Sequence, residues 1–282
     1  MKLGYSQCHF PHRSVVENIE FAKENGFDFI EGYIWDVFPV LEENPESLTE
    51  ALLRTGMGLT IHHGLVLPEN TEKADLFRRS IDVIYNWVKQ GGPLNILSFD
   101  TWVDREKSFP LLLEVLEKFA DTNVFILTED CPVSKNHLKL WEPVTAYKNF
   151  GLLLDLGHMN VRLTDTGKNP TWCLRHEGDS APSPMGDNSP EAFYHTLCNK
   201  DFPIYQLHVH NNDGYHDLHR SIKDGTADYE GIVSALKRIG FDGWVDLEFN
   251  PGLPEVVGEA ADQKLLAEAA YWNKIWNTEE TI

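Results

Sequence analysis

The residues KLGYSQCHFPHRSVVENIEFAKENGFDFIE (2–31) contain one complete strand–helix–strand unit. KLGY (2–5) and FDFIE (27–31) are short apolar runs of strand character, and SVVENIEFAKENG (14–26) between them has helical period. Ser14 with Glu17 three residues later is the pattern of a capping box, and Gly26 is the expected C-terminal stop. Such a unit predicts a parallel sheet covered by helices. The alternation continues down the chain. A helix near 47–54 precedes MGLTIHH (57–63), and a long helix from about Thr71 to Gln90, ended by Gly91-Gly92-Pro93, precedes NILSF (95–99). Helices over 108–121 and 137–148 separate VFILTED (124–130) from GLLLDLGH (151–158). After a helix at 190–198 come IYQLHVH (204–210), a helix at 229–239, WVDLEF (244–249) and a closing helix near 254–277. Eight strands, each followed by a helix, predict an α/β fold, a single (β/α)8 TIM barrel over residues 1–282. A doubly wound sheet is the competing fold, and the absence of G-x-G-x-x-G after the first strand weighs against it.

The stretch 159–189, rich in Pro, Gly, Asp and Asn, is too long for an ordinary connection and reads as a long active-site loop. No Gly/Ser-rich or Pro-rich linker divides the chain, and 282 residues at 42 % hydrophobic content suffice for a full core. Forty-four acids against 24 bases give a formal charge of −20, which repels nucleic acid and anionic membranes. The N-terminus lacks the apolar segment of a signal peptide, and no run of 18 apolar residues exists. The four cysteines, Cys8, Cys131, Cys173 and Cys198, form no C-x-x-C pair and read as reduced thiols. These features predict a soluble, cytoplasmic protein; whether it assembles into a homo-oligomer is left open.

In a barrel of this type the chemistry lies at the C-terminal ends of the strands. Those ends carry, in order, Cys8, His9 and His12; Glu31; His62 and His63; Ser98 and Asp100; Glu129 and Asp130; Asp155 and His158; His208 and His210; and Glu248. Strands built of Leu, Ile and Val have no structural use for Glu129, Asp155 and Glu248, because an unpaired carboxylate out of water is costly. Three such groups converging on one face would repel one another and raise each other's pKa. A divalent cation removes the conflict. Three carboxylates with the His208 imidazole form an oxygen-rich site that favours Mn²⁺, Mg²⁺ or Co²⁺, with Zn²⁺ also compatible.

The ordered set LTED at strand five, DLGH at strand six, HVHNND at strand seven, Asp217-x-His219 followed by Gly225 and Asp228, and DLEF at strand eight resembles the sugar isomerase and epimerase superfamily. This is the xylose-isomerase-like TIM barrel group, which also includes endonuclease IV and inosose dehydratase-like proteins. The match is close over residues 124–250 and rests on rhythm alone before that. It implies metal ligands at Glu129, Asp155, His208 and Glu248, substrate contact at His158, and proton transfer by Glu129 and Glu248. Asp217 and His219 stand where endonuclease IV holds additional zinc ions and where the sugar enzymes brace a loop; bracing is the preferred reading over a second metal.

Glu31 is expected to hold a distant substrate hydroxyl, and His210 to contact substrate or support the site. His62 and His63 are adjacent, so in a strand at most one faces the pocket; His63 is taken as the substrate-binding one. His216 reads as solvated loop, and Trp35, Trp102 and Phe38 as candidate pocket walls. The implied activity is a divalent-metal-dependent sugar isomerase or epimerase, moving a proton next to a carbonyl of a small sugar or keto-polyol. A keto-inositol dehydratase is the alternative within the group. An endonuclease IV-like phosphodiesterase is disfavoured by the charge and by strand four, which ends in Ser98-Phe99-Asp100 without a histidine. Arg162, Arg175 and Lys223 occur singly, which slightly favours an unphosphorylated substrate.

Overall fold

The first helix forms where its caps require. Ser14 and Glu17 make the reciprocal capping box of α1 (Val15–Glu24), and Gly26 reverses the chain at φ 78°. The computed structural model describes residues 1–63, 71–100, 105–129, 144, 146–160, 203–214 and 216–278. Its eight parallel strands are β1 (Lys2–Ser6), β2 (Phe29–Tyr33), β3 (Gly58–His63), β4 (Ile96–Asp100), β5 (Phe125–Glu129), β6 (Phe150–Asp155), β7 (Ile204–Val209) and β8 (Trp244–Leu247). They close in sequence order, β8 pairing with β1, so the sheet has no edge. The helices α2 (Ile34–Glu43), α3 (Pro45–Thr55), α4 (Thr71–Lys89), α5 (Arg105–Phe119), α6 (Leu156–Asn160), α7 (Tyr229–Arg238) and α8 (Glu259–Asn277) complete the set among the described residues.

Two helices fill the β2–β3 connection where the sequence suggested one. Pro39 lies inside α2, so a reading that treats proline as a breaker loses that helix. The first two residues of the expected loop 159–189 instead end α6; the rest of it and the expected helix 190–198 lie outside the described residues, and the expected helix 137–148 largely so.

Alternation along each strand divides the structure into two cores. Outward residues such as Tyr5, Ile30, Leu59, Ile61, Leu97, Ile126, Leu207 and Val245 pack against the helices. The barrel interior changes character along its length. At the N-terminal end the rings of Phe29, Trp244 and Tyr205 fill space left by glycines: a Cβ on Gly4 would lie 2.6 Å from Phe29, on Gly58 2.7 Å from Trp244, and on Gly151 2.2 Å from Tyr205. A bulge between β6 and β7, where Leu152 pairs with Ile204 but Leu153 with Gln206, lets both Tyr205 and Gln206 turn inward. Further up, Leu127 and Leu153 face Ser6, Glu31, Thr60, Ser98, Gln206 and Asp246, all buried. Branched apolar residues usually fill this region of the fold. A polar interior here is therefore a property of this sequence, and it lies directly beneath the strand ends.

Gly151→Ala tests the lower packing, because its Cβ would also meet the Pro203 carbonyl oxygen at 2.8 Å, which cannot rotate away. The expected loss is about 1–3 kcal/mol of stability in urea unfolding; an unchanged midpoint would show that the layer yields freely.

Candidate active site

Each strand end contributes according to its parity. Glu129 closes β5 and Asp155 closes β6, His208 is the penultimate residue of β7, and Glu248 follows β8; all four are buried. β6 runs straight into α6, so Asp155 accepts the backbone N–H of His158 at 2.8 Å and is held in the manner of an N-cap. His210 Nε2 lies 3.0 and 3.1 Å from the two Asp155 oxygens and fixes the other side of that carboxylate.

The acids converge on one atom. His208 Nδ1 is 2.9 Å from Glu248 Oε2, 3.9 Å from Glu129 Oε1 and 4.0 Å from Asp155 Oδ2. Its other nitrogen, Nε2, is 2.9 Å from Glu31 Oε1. Glu31 in turn accepts bonds from Ser6 Oγ (3.3 Å), Thr60 Oγ1 (3.1 Å) and Gln206 Nε2 (2.5 Å). Asp246 lies beside it, bonded to Ser6 Oγ. Tyr33 donates its hydroxyl to Glu248 Oε1 at 2.5 Å. His62 stands over the same space, with Nδ1 3.0 Å from Ser98 Oγ and Nε2 3.4 Å from Glu129 Oε2.

The protonation states follow from these neighbours. Burial alone would lower the His208 pKa, but Glu248 and Glu31 on its two sides raise it well above the usual imidazole range. Burial alone would raise Glu248 and Glu31; His208 outweighs it, holding Glu31 below and Glu248 well below the usual carboxylate range. Asp155 is likewise lowered, burial being overcome by His158 and His210. Asp246 behaves oppositely. Burial and the Glu31 charge push it well above the usual range, so it is the protonated member of the polar interior. Burial, then the Glu248 charge, raises Tyr33, which stays a donor.

A metal ion fits this arrangement. His208 Nδ1, His208 Nε2 and Glu248 Oε2 are all buried and lack a hydrogen bond of acceptable alignment despite the carboxylates beside both nitrogens. One atom each from Glu129, Asp155 and His208 lie within 4.8 Å of one another. Glu31 beside Nε2 gives that nitrogen a place for its proton and leaves the Nδ1 lone pair for a ligand, the usual support of a metal-bound imidazole.

Asp217 and His219 connect strand ends. Asp217 Oδ2 is 3.2 Å from His158 Nε2 and 3.3 Å from His219 Nε2, and His219 Nδ1 donates to the Glu248 backbone carbonyl at 2.8 Å. The His219 ring stacks on His210 at 3.9 Å, and its backbone takes the left-handed φ of 44°. His158, His210, Asp217 and His219 also bring one donor atom each within 4.8 Å. Burial lowers His9 to about 4, with His219 adding to the effect, so this imidazole is neutral.

Two expected substrate contacts, His63 and Glu31, do not match this geometry. His63 points away from the pocket, its Nε2 2.8 Å from Ser80 Oγ on α4 and its ring against Phe77 and Phe99; His62 is the inward member of the pair. Glu31 has both oxygens committed beneath His208. His210 takes the supporting role that was one of its two expected ones, with Nε2 on Asp155, its ring face on His219 and Nδ1 buried without a hydrogen bond. His216 is exposed beside Asp213, Trp35 is exposed with its ring 4.7 Å from Tyr33, Phe38 is half-buried under Arg79, and Trp102 lies outside the described residues. The sequence reading missed His62, Tyr33, Gln206 and Asp246. Parity could have found two of them: Leu59, Ile61 and His63 share one face, leaving Thr60 and His62 on the other, and Asp246 shares the face of Glu248.

Comparison with known proteins agrees with this architecture. A family model described as xylose isomerase-like TIM barrel matches residues 19–272. The chain belongs to that family. One curated relative, an uncharacterised protein of Methanocaldococcus jannaschii, is 24 % identical over 151 residues, 51 % of this chain and 43 % of that protein, so the match spans less than half that relative's length. Among solved structures, D-psicose 3-epimerase of Clostridium cellulolyticum H10 superposes with a TM-score of 0.69 at 14 % identity, covering 99 % of this chain and 100 % of the other. The E. coli 3-keto-D-glucoside 4-epimerase gives 0.67 at 17 % identity, covering 97 % and 99 %. The probable 3-DHS dehydratase AsbF of Bacillus anthracis gives 0.65 at 17 %, also covering 97 % and 99 %. At these identities the likeness is one of fold. Among the described residues no helix is long and apolar enough to cross a membrane.

The Asp217–His219 pair makes a pH prediction for chelator-treated protein. Burial would lower His219, but Glu248 and Asp217 raise it to about 9. Its contribution to stability is then fully present below its unfolded pKa of about 6.5 and is lost as pH rises through 9. Asp217→Asn should flatten the fall in urea-unfolding free energy between those values; an identical slope would show that Asp217 does not raise His219.

Proposed function

We propose that the chain is a divalent-metal-dependent isomerase or epimerase that moves a proton beside the carbonyl of a small, unphosphorylated, polyhydroxylated substrate. The carrying observation is the convergence of Glu129, Asp155 and Glu248 on His208 Nδ1. In this reading those four residues hold one ion per chain, Mn²⁺, Mg²⁺ or Co²⁺ by preference, with Zn²⁺ compatible. The ion would polarise the substrate carbonyl and acidify the neighbouring C–H.

The chain's own groups then divide the proton work. Glu129 and Glu248 come from β5 and β8, on different sides of the barrel mouth, and either can take a proton from carbon. Each has a neighbour that manages its proton. Tyr33 donates to Glu248 Oε1, which leaves Oε2 on the side of His208. His158 Nδ1 stands 3.4 Å from Glu129 Oε1 while its Nε2 meets the partly exposed Asp217, so a proton taken by Glu129 has a two-step route outward. Return of the proton from the opposite carboxylate inverts the carbon; return to the adjacent carbon by one carboxylate isomerises the sugar. A keto-inositol dehydratase would share the first transfer and then lose water. A phosphodiesterase of the endonuclease IV kind is disfavoured by the charge of −20.

The test is incubation of metal-loaded protein in D₂O with ketoses and keto-inositols, read by mass spectrometry. Deuterium should appear in substrate or product; loss of one water from the product would select the dehydratase, and no exchange with any compound would sink the proton-transfer reading. Asp155→Ala should lose its metal by elemental analysis while circular dichroism keeps the barrel signature. Glu248→Gln under saturating metal should slow exchange by about 10²–10⁴, whereas parent rates for both Glu248→Gln and Glu129→Gln would shift the base elsewhere. Because His208 is protonated in the metal-free chain and must lose that proton to bind an ion, metal affinity should rise with pH; a pH-independent affinity would exclude His208 as a ligand.

A further inference from the structure

One imidazole at the mouth is unused by this scheme. His9 ends the short turn Gln7–His9 that follows β1, and its Nε2 is buried without a hydrogen-bond partner. The ring lies 5.6 Å from that of His219. His9, His219 and Glu248 each bring one polar atom within 4.8 Å of the others. A buried nitrogen left unsatisfied is destabilising, and a non-glycine residue held at positive φ beside it is a second local cost. Their coincidence next to Glu248 marks a place shaped for something other than the fold.

The three groups do not make a cation site. His219 Nδ1 is spent on the Glu248 carbonyl and its Nε2 faces Asp217; Glu248 has Oε1 on Tyr33 and Oε2 beside His208. In the scheme above the unpartnered Glu248 Oε2 would face the ion at His208, so of the three groups the His9 nitrogen alone is left over, and one nitrogen does not hold a metal ion. Nor does the place suit an anion, since the Glu248 carboxylate lies within the same few ångströms. A neutral hydroxyl fits both constraints. It can donate to or accept from an imidazole nitrogen, whichever tautomer is present. We propose that His9 binds a hydroxyl group of an uncharged polyol chain, setting which stretch of the substrate lies against Glu248. The assignment rests on the sugar reading above and adds to it that the substrate carries a free hydroxyl on the β1 side of the site.

The experiment uses the metal-loaded full chain with D-fructose, D-psicose and D-tagatose, and with monodeoxy analogues of whichever sugar exchanges deuterium. His9→Phe should lower kcat/KM about tenfold, the order expected for one lost hydrogen bond to a neutral group, through KM rather than kcat. His9→Gln, which keeps a polar end, should recover part of the loss. One deoxy analogue should react equally with parent and His9→Phe. Metal content should be the same in all three proteins. Loss of an ion from His9→Phe, an unchanged KM, or an equal penalty with every analogue would overturn the hydroxyl assignment while leaving the proton-transfer reading intact. If the parent exchanges none of the sugars, that reading falls and the subsite with it.

Discussion

The upper half of the barrel depends on positive charge at His208. Glu31, Glu129, Asp155, Asp246 and Glu248 are all buried around it, and that many carboxylates cannot share a dry interior unless most are paired or protonated. The structure uses both devices. Asp246 keeps its proton, and the His208 imidazolium sits between Glu248 and Glu31. In the proposed function a divalent ion takes over the role of the imidazolium proton, which brings Glu129 and Asp155 into the same balance. Charge at one point thus links the acid–base state of the mouth to the polar interior beneath it.

That link explains why the interior departs from the usual filling of branched side chains. Ser6, Thr60 and Gln206 surround Glu31 with donors, and the charge of His208, whose Nε2 stands above it, overcomes burial and keeps Glu31 ionised. The bulge at Tyr205 serves two ends at once: it turns Tyr205 onto Gly151 to seal the base, and it delivers Gln206 to Glu31. Above, the tie from Asp217 through His219 to the Glu248 carbonyl fixes the β7 loop against the end of β8. Most of the site's supports come from strands, which position side chains more closely than loops do.

Much of this was legible in the sequence. Short buried strands alternating with capped helices predict a closed parallel barrel, and carboxylates at strand ends stand out because neighbouring positions are apolar. Other features were hidden for physical reasons. Pro39 inside α2 looks like a terminator. His62 and His63 differ by one residue and therefore by one face, although the apolar residues Leu59 and Ile61 place His63 on the outer face with them. Glu31 looked like a mouth residue because it ends an apparent strand, but β2 runs on to Tyr33 and carries Glu31 one step below the pocket. The bulge that brings Gln206 inward leaves no trace in hydrophobic periodicity.

The most direct measurement is anomalous diffraction from crystals loaded with Mn²⁺ or Co²⁺. The account predicts one strong peak about 2.0–2.4 Å from His208 Nδ1 and from one oxygen each of Glu129, Asp155 and Glu248, with Glu31 remaining at Nε2. A peak on Nε2, or one held by His158, Asp217 and His219 with none at His208, would contradict it.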